Sequence, residues 1–362
     1  MKSRLSTLLK LGFIFLCWRV LLWGVEWLSP AMWPLREGYL GFTRWANFDG
    51  VHYLVLIDHG YKQFLEGFFP FYPILSRILS ELTPLLPHES ALYVSHVSLF
   101  LGIILLHLIA TKLNKVRSYW PTIFLLSFPT SFFFAGVYTE SLYFFLSALS
   151  IYSVLKKRWW IAAIIGAFAS ATRLNGVYLV FPLLFGLLSD KKNIRKLDYL
   201  SICVIPLGLV SFMIYLSKSV GDPLAFVHVQ KIFAVGRSTE SIVMVPQTIW
   251  RYMKILMTID PREMQFAIAL LELSSLSIFS GLLLKAWKDR YPIGIIIYSA
   301  CALLTPTLTG TLISFPRYML VNFPLFVALS SMHNTRIRLV VIVWVIGLVV
   351  ITSAFLQGYF VG

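Results

Sequence analysis

Apolar runs of about 15 to 20 residues alternate with short basic clusters along this chain, and a run of that length is about what a helix needs to cross a bilayer. The clusters are Lys2, Arg4, Lys10; Lys112, Lys115, Arg117; Lys156, Lys157, Arg158; Lys191, Lys192, Arg195, Lys196; Lys285, Lys288, Arg290; and Arg336, Arg338. If all of them face the cytoplasm, an even number of spans must separate neighbouring clusters. The charged fraction is 13%, whereas a soluble domain carries about 25%. With 58% hydrophobic residues and a mean hydropathy of +0.78, the chain reads as an all-α polytopic membrane protein. Its 362 residues form a single transmembrane domain, because spans bundled in lipid make one body. The net charge of +15 serves orientation, and no nucleic acid partner is expected. Cys17, Cys203 and Cys301 each lie inside an apolar run, which fits neither a disulfide framework nor a zinc spacing. The first apolar run reaches residue 29 with no small-residue cleavage pattern after it, so it reads as a retained helix rather than a signal peptide.

The even-number condition decides one ambiguous region. Residues 159 to 189 as a single helix would be about 45 Å long, too long for a hydrocarbon core of about 30 Å. A single span would also put the 191 to 196 cluster outside. Two short helices meeting at "TRLNG", residues 172 to 176, satisfy both demands, and their turn must be buried in protein or line a wet cavity. Spans are expected near 8–29, 91–112, 119–135, 139–155, 159–172, 174–189, 198–217, 263–285, 291–312, 317–333 and 338–358. That makes about eleven, with the N-terminus inside and the C-terminus outside. The segments 30–90 and 218–262 are long outer connections, and the first is expected to hold helices lying in the interface.

Under this topology every combination of carboxylate, histidine and arginine falls on the outer side. The first outer connection holds Asp49, His52, Asp58, His59 and Arg77. "GVYTES", residues 136 to 141, holds Tyr138 and Glu140. "TRLNG" holds Arg173 and Asn175, the segment 221 to 237 holds Asp222, His228, Gln230, Lys231 and Arg237, and "ISFPRY" holds Arg317. Each has a plain alternative. Asp49 can N-cap a helix over 50 to 58 that Gly60 closes. Glu140 starts a helix, where a carboxylate suits the dipole. His52 can be a packed, hydrogen-bonded imidazole. Arg317 can snorkel to headgroups. Arg19 and Glu26 share a helix face and read as an ion pair within the bundle. Arg173 resists such a reading, because a charge at a buried turn costs several kcal/mol without a partner or a cavity. Its natural partners are Asp49, Glu140 or a phosphate.

Asp49, His52, Asp58 and His59 are possible mixed metal ligands, but their spacing matches no strong motif, and no metal is assigned. A Gly-rich phosphate loop, a Ser nucleophile elbow and HExxH are all missing from the sequence, so no cofactor is implied. An acid among arginines and aromatics at the outer leaflet suits an amphipathic substrate with an apolar tail and an anionic phosphate. Arg holds phosphate bidentately. Asp49 is placed to take a proton from an acceptor hydroxyl attacking an anomeric carbon.

"WANFDGVHYLVLIDHGY" with "FFPFYP", then "FPTSFFFAGVYTESLYFFLSAL", "SATRLNG", "GDPLAFVHVQ" and "FPRY", resemble the PIG-V-like mannosyltransferases in order and spacing over most of residues 44 to 330. The fourth of these looks like the prokaryotic branch. The resemblance implies a GT-C bundle that moves a sugar, mannose foremost, with inversion. The donor would be a polyprenyl-phosphate sugar, and the acceptor a lipid-linked or cell-surface glycan or glycolipid on the extracytoplasmic face of a prokaryotic plasma membrane. By that likeness Asp49 matches the first-loop acid, and Glu140, Arg173 and Arg317 match further polar motif positions. Asp49, His52 and Glu140 are the catalytic candidates. Arg173, Asn175, His228, Gln230, Lys231, Arg237, Arg317 and Tyr138 are the substrate-binding candidates. Members often carry Trp before the acid, where this chain has Phe48. A transferase for another polyprenyl-phosphate sugar, and a lipid-sugar flippase, stand as the alternatives. The flippase reading expects charges along a path through the bundle and often inverted repeats. Membrane lipids complete the expected partners.

Overall fold

The computed structural model describes residues 2–37, 39, 44–114, 118–190, 194–233, 242–330 and 336–361. Among them every regular element is helical. Four helices are long and apolar enough to cross a membrane: α1 (Lys2–Met32), α4 (Pro87–Asn114), α13 (Met264–Lys288) and α17 (Arg336–Leu356). A fifth candidate span is bent by 42°, where the 3-10 segment Lys196–Val204 meets α9 (Leu207–Ser219). The protein is an integral membrane protein.

The remaining expected spans hold shorter helices. These are α5 (Trp120–Ser127), α6 (Glu140–Leu155), α7 (Trp159–Ser170), α8 (Val180–Ser189), α14 (Ile293–Thr307), α15 (Phe315–Leu320) and α16 (Pro324–Ser330). Each of the eleven expected intervals therefore contains helix, although among the described residues only four helices are singly long and apolar enough to span. Lys115, Arg117, Lys191 and Lys192, which helped set the expected orientation, lie outside the described residues, as do 331–333 of the tenth interval.

Burial sorts these helices into layers. α6 and α16 are buried on nearly every side, so they need no polar face and form the centre. α4 packs closely on α6 because Gly102 leaves room; a Cβ there would lie 2.6 Å from the Phe144 ring. α1 and α17 pack on each other at the periphery and leave Phe13, Trp23, Trp27, Ile342 and Ile346 exposed, which is what a lipid-facing surface permits.

Both connections expected to lie outside, 30–90 and 218–262, are built from short helices. The first carries α2 (Asp49–His59), closed by Gly60 at φ 74°, and α3 (Phe71–Leu82). Tyr72, Pro73 and Ser76 of α3 face the core, while Ile74, Ile78 and Leu82 line the opposite face. α3 is thus two-sided, with one face packed and an apolar face left exposed. Tyr72 anchors it, donating to the Ala91 carbonyl at 3.0 Å and lying 3.0 Å from the Ser95 hydroxyl. The second connection holds α10 (Ala225–His228), α11 (Gln230–Phe233) and α12 (Val245–Thr258). Ala225 and Phe226 form a small satellite core with Phe69, Phe212 and Leu216.

The expected break within 159–189 is present. α7 stops at Ser170, Arg173 is extended, and a 3-10 segment Leu174–Leu179 leads into α8. Gly176 sits directly on the end of α7, where an added Cβ would lie 2.3 Å from the Ser170 backbone nitrogen. No side chain relieves that contact, since both partners are backbone. Gly176→Ala is expected to destabilise the protein by about 1 to 3 kcal/mol, as overpacking does, and to lower the thermal unfolding midpoint of the detergent-solubilised protein.

Candidate active site

The site is assembled where the chain turns between helices. The 3-10 segment Arg44–Ala46 and the start of α2 are stitched to the 136–139 turn. The Val137 N–H donates to the Trp45 carbonyl at 2.8 Å, and the Tyr138 hydroxyl donates to the Asn47 carbonyl at 2.5 Å. Ser95 on α4 donates to the Gly136 carbonyl at 2.9 Å, tying the same turn to the anchor of α3. The Asn47 side-chain amide in turn reaches the Phe355 carbonyl at 2.6 Å, so the end of α17 holds the segment before Asp49. Phe48 adopts φ 51°, a left-handed conformation that costs a non-glycine residue about 1 kcal/mol or more. Its ring rests between Phe355 and Phe360, at 5.9 and 5.3 Å.

Four charged side chains meet at this junction. Arg317 donates from Nε to Glu140 Oε1 at 2.5 Å and from Nη1 to Asp49 Oδ2 at 2.6 Å. Arg173 donates from Nη1 to the same Glu140 oxygen at 2.6 Å and to the Thr139 hydroxyl at 3.1 Å. The Arg317 guanidinium lies over the Tyr138 and Phe133 rings, at 4.6 and 4.8 Å, where cation–π attraction adds to the ion pairs. Two cations face two anions, so the cluster is electrically balanced.

Exposure separates the two acids. The Glu140 side chain is 0% exposed and Arg317 9%, whereas Asp49 is 40% exposed and Arg173 14%. Glu140 is therefore walled off by its two arginines, and its Oε2 is buried without a hydrogen-bond partner among the described residues. Asp49 is the acid a reactant can touch. Its side chain does not cap α2: the N-cap is Phe48, with no side-chain cap bond, and the Asp49 carboxylate turns to Arg317 instead.

The other sequence-derived candidates lie at varying distances from this cluster. His52, one turn along α2, packs on Phe68 with ring centroids 5.0 Å apart. Burial lowers its pKa below the usual imidazole value, while nearby Asp49 pulls it back up. Asn175 is half-buried in the 3-10 turn after Arg173. His228 pairs with Asp222 at 2.6 Å on the exposed rim, and the Gln230 amide packs over Gly67. Arg237 and the side chain of Lys231 lie outside the described residues. No group of three or more His, Cys, Asp or Glu side chains with metal-binding geometry collects among the described residues.

The expected Arg19–Glu26 ion pair takes a different form. The two residues are about 10 Å apart along α1 and do not pair directly. Trp45 fills the gap: Arg19 lies over its ring at 4.9 Å, and its indole N–H donates to Glu26 at 2.9 Å. Sequence reading passed over Trp45, Asn47, Thr139 and Phe133. Thr139 and Asn47 flank the two acids in sequence, and that adjacency was the available signal.

The fold is similar to that of ArnT from Cupriavidus metallidurans bound to undecaprenyl phosphate. The TM-score is 0.54 at 13% sequence identity, and the match covers 92% of this chain and 62% of that one. That likeness defines the class by fold: a helical membrane bundle of the architecture seen in ArnT. The Mannosyltransferase (PIG-V) profile matches residues 34–228, and the chain belongs to that family. GPI alpha-1,6-mannosyltransferase 2 from Homo sapiens is 25% identical over 240 residues, covering 57% of this chain and 48% of that protein. The same enzyme from Cricetulus griseus is 28% identical over 243 residues, with the same coverage. This chain thus spans about half the length of those relatives. Asp49, Glu140 and Arg173 fall within the family match, and Arg317 lies beyond it.

Removing Glu140 takes from Arg173 and Arg317 the buried carboxylate they share. Glu140→Ala is expected to cost about 3 to 5 kcal/mol, as breaking one side of a buried pair does. Asp49→Ala, at the exposed edge, is expected to cost about 1 kcal/mol or less. Thermal unfolding in detergent followed by tryptophan fluorescence checks the order.

Proposed function

We propose that this protein is a membrane glycosyltransferase that transfers mannose from a polyprenyl-phosphate carrier to a lipid-linked or cell-surface glycan on the extracytoplasmic face. The observation that carries the reading is the asymmetry of the acids: in a chain of the PIG-V family, Asp49 alone of the cluster is open, and Arg317 holds it by one oxygen. Arg317 contacts Asp49 through Oδ2, and the Asp49 side chain as a whole is 40% exposed.

In the proposed reaction the acceptor oxygen attacks the anomeric carbon from the face opposite the phosphate. A bond forms between acceptor oxygen and carbon as the bond from that carbon to the phosphate oxygen breaks. The hydroxyl proton passes to Asp49, and polyprenyl phosphate leaves with the electron pair. A single displacement of this kind inverts the anomeric configuration. Arg173 and Arg317 are placed to stabilise the charge growing on the phosphate, already desolvated and oriented by Glu140. Glu140 acts through the arginines and does not touch substrate.

A cavity of about 610 Å³ lies between α2, α3, α7 and α9, lined by Leu56, Tyr61, Phe71, Phe168, Phe212 and Tyr215 among others. Its wall includes Ala171, two residues before Arg173. Arg77 also lines it, and an apolar trough whose wall approaches Arg173 along the chain suits a prenyl tail with its phosphate directed toward Arg173. The ArnT structure similar to this one holds undecaprenyl phosphate, which agrees with a carrier of that class.

Membranes containing the wild-type protein and polyprenyl-phosphate mannose should yield mannosylated product, and Asp49→Asn should lower turnover by about 10²- to 10⁴-fold while leaving the fold intact. Near-normal turnover in that variant removes Asp49 as the base. Arg173→Lys should weaken donor binding, because a point charge does not replace a planar fork, and unchanged donor affinity makes Arg173 structural.

A further inference from the structure

A second buried carboxylate lies away from the cluster. Glu272 is 4% exposed on α13, about 12 Å along the helix from its Met264 end. A carboxylate at that depth in a membrane helix is costly and needs partners. Its Oε2 accepts the Tyr252 hydroxyl at 2.6 Å, and its Oε1 accepts the Ser314 N–H at 3.1 Å. Tyr252 and Thr248 are the buried residues of α12, and the Tyr252 oxygen also accepts the Leu312 N–H at 3.0 Å. Two further bonds run the same way: Arg251 Nη1 donates to the Gly310 carbonyl at 3.2 Å, and the Thr248 hydroxyl to the Thr307 carbonyl at 3.2 Å. α12 and Glu272 thus grip the backbone from 307 to 314.

That backbone is the lead-in to Arg317. Ser314 adopts φ 64°, a strained conformation for a non-glycine residue, and it persists where neighbours over-determine it. Ser314 is the N-cap of α15, and Arg317 sits in the first turn of that helix. A slip at 312–314 therefore carries the guanidinium away from Asp49 and Glu140 together. α12 exposes Trp250, Met253 and Met257 on its other face, so the grip comes from an amphipathic helix at the surface of the bundle.

We propose that Glu272 and Tyr252 are positioning residues for Arg317, and that they make the surface helix α12 part of the catalytic assembly. Its kinetic consequence rests on the transferase reading above; its structural consequence does not. The full-length protein in lipid nanodiscs tests both. Tyr252→Phe and Glu272→Gln should each lower kcat about tenfold or more with little change in KM for the donor, since Arg317 acts on charge that develops in the transition state. The double variant Tyr252→Phe with Arg317→Lys should be no slower than Arg317→Lys alone, because both changes strike one element. Losses that multiply, or wild-type kcat in both single variants, overturn the proposal. Amide hydrogen exchange supplies a readout free of activity: peptides covering 307–320 should exchange about tenfold or more faster in either variant. Unchanged exchange there overturns the proposal. Should the wild type transfer no sugar, the functional reading fails, and the exchange measurement still decides the positioning claim. If Tyr252→Phe does not fold, Glu272→Gln, which keeps a side-chain acceptor for Ser314, carries the test.

Discussion

One oxygen atom organises this protein. Glu140 Oε1 accepts from both Arg173 and Arg317, and those arginines arrive from segments 33 and 177 residues away in sequence. In an apolar bundle no one of these charges is tolerable alone, and each supplies the compensation the others need. The ion cluster therefore ties together the start of α6, the turn after α7 and the first turn of α15. Asp49 joins at the open edge, and it gains orientation from Arg317 while keeping access to the outside.

The supports around the cluster are built in the same way. Backbone groups freed at each turn are taken up by another turn or by a polar side chain, as a chain without water must arrange. The Trp45–Val137 and Tyr138–Asn47 bonds close the gap between two turns, and Ser95 and Tyr72 extend the stitching to α4 and α3. The strained residues Phe48 and Ser314 fall immediately before α2 and α15, the helices that present Asp49 and Arg317. Strain of this kind persists where packing and hydrogen bonds leave no alternative.

Much of the site was legible because charge is scarce in this chain. With 13% charged residues, an acid or arginine beyond the basic loops stands out, and Asp49, Glu140, Arg173 and Arg317 were singled out on that ground. Sequence reading placed Asp49 and Glu140 together as candidate acids, and burial divides them. It read Arg19 and Glu26 as a direct pair from their shared face, yet their separation along α1 leaves room for the Trp45 indole between them. It did not register Glu272 or Tyr252, whose partners lie 42 and 60 residues on at Ser314 and Leu312. Nothing local in "ALLELSS" indicates that its carboxylate will meet a distant backbone N–H.

Composition and the spacing of basic clusters were enough to determine a helical membrane protein, its break at 172 to 176 and the set of charges that must find partners. Those follow from local quantities: hydropathy per run, helix rise per residue, and the cost of an ion in hydrocarbon. Which charge pairs with which, which acid stays open, and which surface helix holds Arg317 in place were decided only by tertiary structure. Burial and pairing depend on contacts between segments up to 268 residues apart, as from Asp49 to Arg317, and no local pattern encodes a distance of that kind.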